Sequence, residues 1–136
     1  MNSVSISGKV TLVGDAFARL STGVVHVYEE NSTGIWTQVE SLVLEELAHQ
    51  SRFGLSLDID GDTMVVGAYV YRRINNTWTL EEKLSPEYSS PSMYFDGAVS
   101  VKEVIIAVEA RYWGDEDNEK GSVFVYKNGS ASTSWQ

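Results

Sequence analysis

One pattern occurs three times along this chain, and it restricts the fold more than any other feature. The clearest copy is "FGLSLDIDGDTMVVGAYVYRRINNTWTLEEKL", Phe53 to Leu84. Ser56-Leu57-Asp58-Ile59-Asp60-Gly61 corresponds to Ser3-Val4-Ser5-Ile6-Ser7-Gly8, and Val65-Val66-Gly67 to Leu12-Val13-Gly14. In the third copy, Phe95 to Val101 stands where Phe53 to Ile59 stands. Val104 to Ala107 then reads as the counterpart of Met64 to Gly67, after a shorter turn at Lys102-Glu103.

Each copy continues alike. A strand ends in Val-Tyr at Tyr28, Tyr71 and Tyr126, a turn rich in Asn, Ser, Gly and Thr follows, and a Trp comes 8, 7 and 9 residues after the Tyr, at Trp36, Trp78 and Trp135. Alternating polar and apolar residues make half-buried strands, and Gly and Asn make the turns between them. Each unit therefore reads as four short antiparallel strands, in the second unit about 53–60, 63–68, 69–74 and 77–84. Asp60-Gly61 predicts a type I′ hairpin with both central residues at positive φ. Tyr71 comes only four positions after Gly67. That leaves little room for an antiparallel return and predicts a distorted unit or an absent loop there.

Four-stranded units recurring every 42 to 57 residues have the pattern of β-propeller blades. One blade cannot bury both faces, so neighbours must stack. The fold class is all-β, with about three four-stranded antiparallel units in an incomplete propeller. The repeats divide as residues 1–50, 51–92 and 93–136. The first lacks a Phe-Gly opening and the third ends at Trp135-Gln136. These ends predict a piece of a longer chain, or a subunit completed by its neighbours.

"FGLSLDIDGDTMVVGA" and the tail "YVYRRINNTWTLEEKL" resemble the FG-GAP repeat of integrin α-subunit heads and of many secreted proteins. The resemblance implies a β-propeller that binds proteins, cell surfaces or matrix without catalysis. It also implies calcium as a candidate ligand of the hairpin between the first two strands. Asp58, Asp60 and Asp62 alternate as such a loop requires. However, Val66 stands where the closing carboxylate belongs, and Gly61 sits two positions early. Hard cations take six to eight oxygens, so a tight hairpin with acidic turn residues is the simpler reading. A second acidic run, Asp115, Asp117 and Glu119, lacks the glycine and glutamate of an EF-hand and reads as a solvated loop. No cofactor is required.

Three Asn-x-Ser/Thr sequons begin at Asn31, Asn75 and Asn128, all in the turn before the fourth strand. Such turns favour Asn and Ser anyway, but a complete sequon in each predicts exposed glycan acceptors on a secretory route. Trp36, Trp78 and Trp135 recur at one position and are expected between blades. Tyr112 and Trp113 do not recur and are the candidate exposed contact, within Arg111 to Lys120. His26 and His49 have no paired ligand nearby, and no nucleophile–base arrangement is present, so the chain is expected not to be an enzyme.

Nineteen acidic against ten basic residues give a net charge of −9, which disfavours nucleic acid as a partner. There is no cysteine. No apolar run is long enough to insert in a membrane as a helix, and the N-terminal residues do not read as a signal peptide. The expected setting is extracellular or cell-surface, with other proteins or further copies of the chain as partners. The leading expectation is a binding or adhesion module. A self-assembling fibre or coat subunit is the alternative, and a carbohydrate-binding propeller a lesser one.

Overall fold

The computed structural model describes residues 3–44, 53–84, 97–110 and 122–128. These residues form three antiparallel sheets. The first joins β1 (Ser3–Ser7), β2 (Val10–Asp15), β3 (Val24–Glu30) and β4 (Trp36–Leu42), with one helical turn, α1 (Ala18–Ser21), between β2 and β3. The second joins β5 (Leu57–Asp60), β6 (Thr63–Val66), β7 (Tyr69–Ile74) and β8 (Thr77–Lys83). The third joins β9 (Val99–Lys102), β10 (Ile105–Ala110) and β11 (Ser122–Lys127). Strand order follows chain order in every sheet. The expected all-β architecture holds. A fourth strand beginning at Trp135 lies outside the described residues.

The sheets stack through two apolar cores. Val10, Leu12, Val25, Val27 and Leu42 of the first sheet meet Phe53, Leu57, Ile59, Met64, Val66, Tyr71 and Trp78 of the second. Val65, Val70 and Leu84 on the opposite side of the second sheet meet Val101, Ile106, Val108 and Tyr126 of the third. All four residues of β6 are consequently buried. Alternation puts successive side chains on opposite faces, so a strand between two cores must be apolar on both. Met64-Val65-Val66 answers that need.

Three hairpin turns differ from the expectation. Val66 pairs with Tyr69 across a two-residue turn, Gly67-Ala68. Gly67 has φ +53° and Ala68 is absent from the positive-φ residues, the pattern of a II′ turn. The antiparallel return therefore fits without a longer loop. At the first hairpin Asp60 pairs with Thr63, so the central residues are Gly61 and Asp62, and only Gly61 has positive φ. The type I′ turn is instead at Asn75-Asn76, with φ +51° and +64°. Finally, Lys102 pairs with Ile105 across Glu103-Val104, so the third hairpin turn is as long as the others. Ile106, not Val104, matches Met64, since each stands opposite the Val-Tyr tyrosine of its sheet. A sequence match cannot see this two-residue slip, because Val104, Ile105 and Ile106 are interchangeable by type.

Candidate functional site

The polar residues of β1, β5 and β9, the first strand of each sheet and here called its inner strand, converge on a seam that crosses all three sheets. Asp58 is its centre. Its Oδ1 accepts from Ser5 Oγ at 2.7 Å, and its Oδ2 accepts from Val101 N–H at 2.8 Å and Ser100 Oγ at 3.5 Å. Asp60 Oδ2 accepts from Glu103 N–H. Ser7 Oγ accepts from Gly61 N–H at 3.0 Å. Glu103 and Gly61 are the positive-φ residues of equivalent turns. The same contact is thus made twice: an oxygen near the end of one inner strand caps the turn N–H of the next sheet. Carboxylates accepting backbone N–H make the stronger version of the bond.

A second seam explains the Phe-Gly opening. Phe53 N–H donates to Thr22 O at 2.9 Å, and Phe53 bridges Gly23 in parallel. The Phe53 ring is buried among Tyr69 and Tyr71, with centroids 6.0 and 6.3 Å away. Gly54, at φ +94°, lies so close to Gly14 that a Cβ on Gly14 would strike Gly54 O and Ser3 Oγ. Ser3 Oγ donates to Gly54 O at 2.6 Å. The glycine next to the end of β2 and the Phe-Gly opening the next unit are two halves of one contact. Farther out, Arg73 Nη2 reaches Glu29 Oε1 at 2.6 Å between the first two sheets.

The candidate calcium residues are therefore brought together only in part. Asp58 and Asp60 share the seam, while Asp62 caps nothing across it and its carbonyl receives Arg73 N–H at 2.9 Å. Among the described residues no three His, Cys, Asp or Glu side chains are grouped to hold a metal. Asp115, Asp117, Glu119, Tyr112 and Trp113 lie outside the described residues.

Asn31 and Asn75 are exposed in the turns that join third and fourth strands. Asn31 Oδ1 accepts from Thr33 N–H at 2.9 Å, Thr33 Oγ1 at 2.7 Å and Ile35 N–H at 3.0 Å, an Asx turn that organises the loop. Asn128 differs from expectation: it is only 8% exposed, and its backbone N–H donates to Val104 O at 2.9 Å. It belongs to the end of the third sheet rather than to an open turn. The tryptophans also divide. Trp78 is buried in the first core at 4% exposure, whereas Trp36, its counterpart in the first sheet, is 39% exposed.

His26 Nδ1 and Ser41 Oγ are 3.0 Å apart on an open face, and Gln38 Nε2 also donates to that hydroxyl. That serine is held in a surface hydrogen-bond row, and among the described residues no base–orienter chain stands behind it. Burial pushes the Tyr71 phenol up, with further increments from Tyr69 and Glu40. Tyr126 is pushed up by burial and then by Glu82. Both tyrosines are core members.

The family model of the FG-GAP repeat matches residues 36–77. That match covers under a third of the chain. The match runs from the first residue of β4 to the first of β8. The repeat is thus offset from the sheet by one strand: it holds the outer strand of one sheet, the Phe-Gly seam, and three strands of the next. A search of curated proteins finds no match to the chain.

Sequence reasoning found the hairpins and the acidic residues but missed the seam. Its signal was present in Ser5, Ser7, Asp58 and Asp60, which are short polar side chains at equivalent positions.

Proposed function

We propose that this chain is a non-catalytic, extracellular or cell-surface β-propeller-type module that binds other proteins. The observation that carries the reading is where the polar residues of the repeat are spent. The FG-GAP repeat lies in a stack whose inner hydroxyls and carboxylates join sheet to sheet. That leaves exposed turns on a rigid frame as the presenting surface, the usual division of labour for binding loops. Arg111 to Lys120, with Tyr112 and Trp113, supplies the contact in this reading, and amphipathic aromatics suit such a role. Asn31 and Asn75 carry glycan if the chain is secreted by a eukaryotic cell. No calcium is needed at Asp58 and Asp60, because their carboxylates already hold backbone and hydroxyl donors.

The test is capture of surface proteins by the immobilised chain, compared with Tyr112→Ala/Trp113→Ala. Saturable binding that the double variant loses, with its melting temperature unchanged, supports the reading. Absence of any saturable partner, or binding indifferent to both residues, overturns it.

A further inference from the structure

Among the described residues, the outer face of the first sheet leaves apolar side chains exposed. Strand register makes Val4, Ile6, Tyr28, Glu30 and Trp36 the counterparts of Leu57, Ile59, Tyr71, Arg73 and Trp78. In the second sheet Leu57, Ile59, Tyr71 and Trp78 are buried against the first sheet. In the first sheet Val4 is 71% and Ile6 62% exposed. The side chains are of the same kind, so the difference lies in what covers them.

The opposite end of the stack has the matching half. Ile105, Val123, Val125 and Lys127 of the third sheet occupy the register positions of Val10, Val25, Val27 and Glu29. Those residues of the first sheet carry the apolar packing and the ion pair toward the second sheet. Yet Val123 is 65% and Val125 63% exposed. One end thus presents the face that receives a neighbour, and the other the face that packs onto one.

Charge selects the occupant. Inside the chain, Glu29 of one sheet pairs with Arg73 of the next. At the open faces the equivalent positions hold Lys127 and Glu30. The pair is complementary with its signs reversed. Ser100, at the position of Asp58, also offers a hydroxyl acceptor to the next inner strand.

We propose that the chain docks head to tail with a second copy of itself, the outer face of the third sheet covering Val4 and Ile6 of its partner. This goes beyond the binding-module reading and does not depend on what that module binds. Such a contact is heterologous, so it closes into a ring or grows into a fibre according to the angle between copies. Lys102 replaces the acceptor that Ser7 and Asp60 provide at the internal seams. This joint therefore lacks one hydrogen bond and is reversible on dilution.

The experiment is sedimentation velocity and light scattering of the 136-residue chain across a dilution series. Mass rising with concentration is expected for the unaltered protein. Val4→Asp and Val125→Asp should each remain monomeric, and a one-to-one mixture of them should form dimers only, since one intact joint remains. Glu30→Lys and Lys127→Glu should each weaken association about tenfold, and the double reversal should recover most of it. Circular dichroism checks the fold of each variant, and the charge reversals decide if an aspartate disrupts its strand. A monomer at every concentration, an inert mixture of folded aspartate variants, or reversals that fail to compensate overturns the proposal. Tyr112→Ala/Trp113→Ala should leave self-association intact, so loss of partner capture and loss of self-docking are separable.

Discussion

At the scale of single residues, glycine and tyrosine carry the strongest constraints. Gly14 has no room for a methyl group, because backbone of the next unit occupies the place where Cβ would be. The obstruction is main chain rather than a flexible side-chain tip, so the second unit must move away. Gly14→Ala should cost about 2–4 kcal/mol, read as a lower urea midpoint at unchanged slope. Gly8, whose added Cβ meets nothing within 4 Å, has no such packing conflict. Its cost is confined to its positive φ, so Gly8→Ala should be the milder change. Tyr71 gives a pH prediction. A free phenol ionises near pH 10, and the Tyr71 phenol is held above that by burial, Tyr69 and Glu40. The folded state keeps the proton more tightly than the unfolded chain. Its contribution is therefore whole below about pH 10 and is lost as pH rises beyond it toward the folded-state value. Phenolate absorbance should show Tyr71 ionising only with unfolding, and Tyr71→Phe should remove part of the alkaline loss of stability. Reversible ionisation of every tyrosine near pH 10 in folded protein would sink this account.

At the scale of elements, the hairpins were legible and the seams were not. Period-two alternation marked β5 and the start of β8, and short bounded runs rich in Val, Met and Tyr marked β6 and β7. The turn types were misread because Asp-Gly suggests central residues 60 and 61, while the pairing of Asp60 with Thr63 moves the centre one position on. In β1 the apolar residues face out and Ser3, Ser5 and Ser7 face the next sheet. Composition cannot reveal that reversal, since a strand of alternating Ser and Val or Ile is ordinarily read with its apolar face covered. The seam predicts a graded result. Asp58→Ala removes the acceptor of Val101 N–H and of the Ser5 hydroxyl. It should cost about 1–3 kcal/mol, and Asp62→Ala, in an exposed turn, under about 0.5 kcal/mol. Equal effects in denaturant melts would mean that the acidic run acts through its charge rather than through these bonds. The sequons divide on the same structural ground. In a eukaryotic secretory host, Asn31→Gln and Asn75→Gln should each remove one glycan increment of mass. The buried Asn128 should contribute none, so glycan there would contradict its place at the end of the third sheet.

At the scale of the whole molecule, stability should be distributed unevenly along the stack. The second sheet has a core on each side, whereas the first and third have one apiece among the described residues. Local opening costs least where few apolar contacts are broken and most where a strand is enclosed. β1 is an edge strand with exposed Val4 and Ile6 on its outer face, and β6 has all four residues buried. Opening β1 sacrifices the Ser5–Asp58 and Ser7–Gly61 contacts but leaves the second core intact. Opening β6 destroys both cores at once, so its amides should exchange only through global unfolding. Native-state hydrogen exchange under dilute, monomeric conditions measures this order directly. The amides of Met64 and Val65 should report the free energy of the global transition. Those of β1 and of the β9–β10 hairpin should exchange through smaller openings with weaker denaturant dependence. If the β1 amides match the protection of β6, the three sheets unfold as one unit. The end sheets are then stabilised by something other than the two cores and the seam between them.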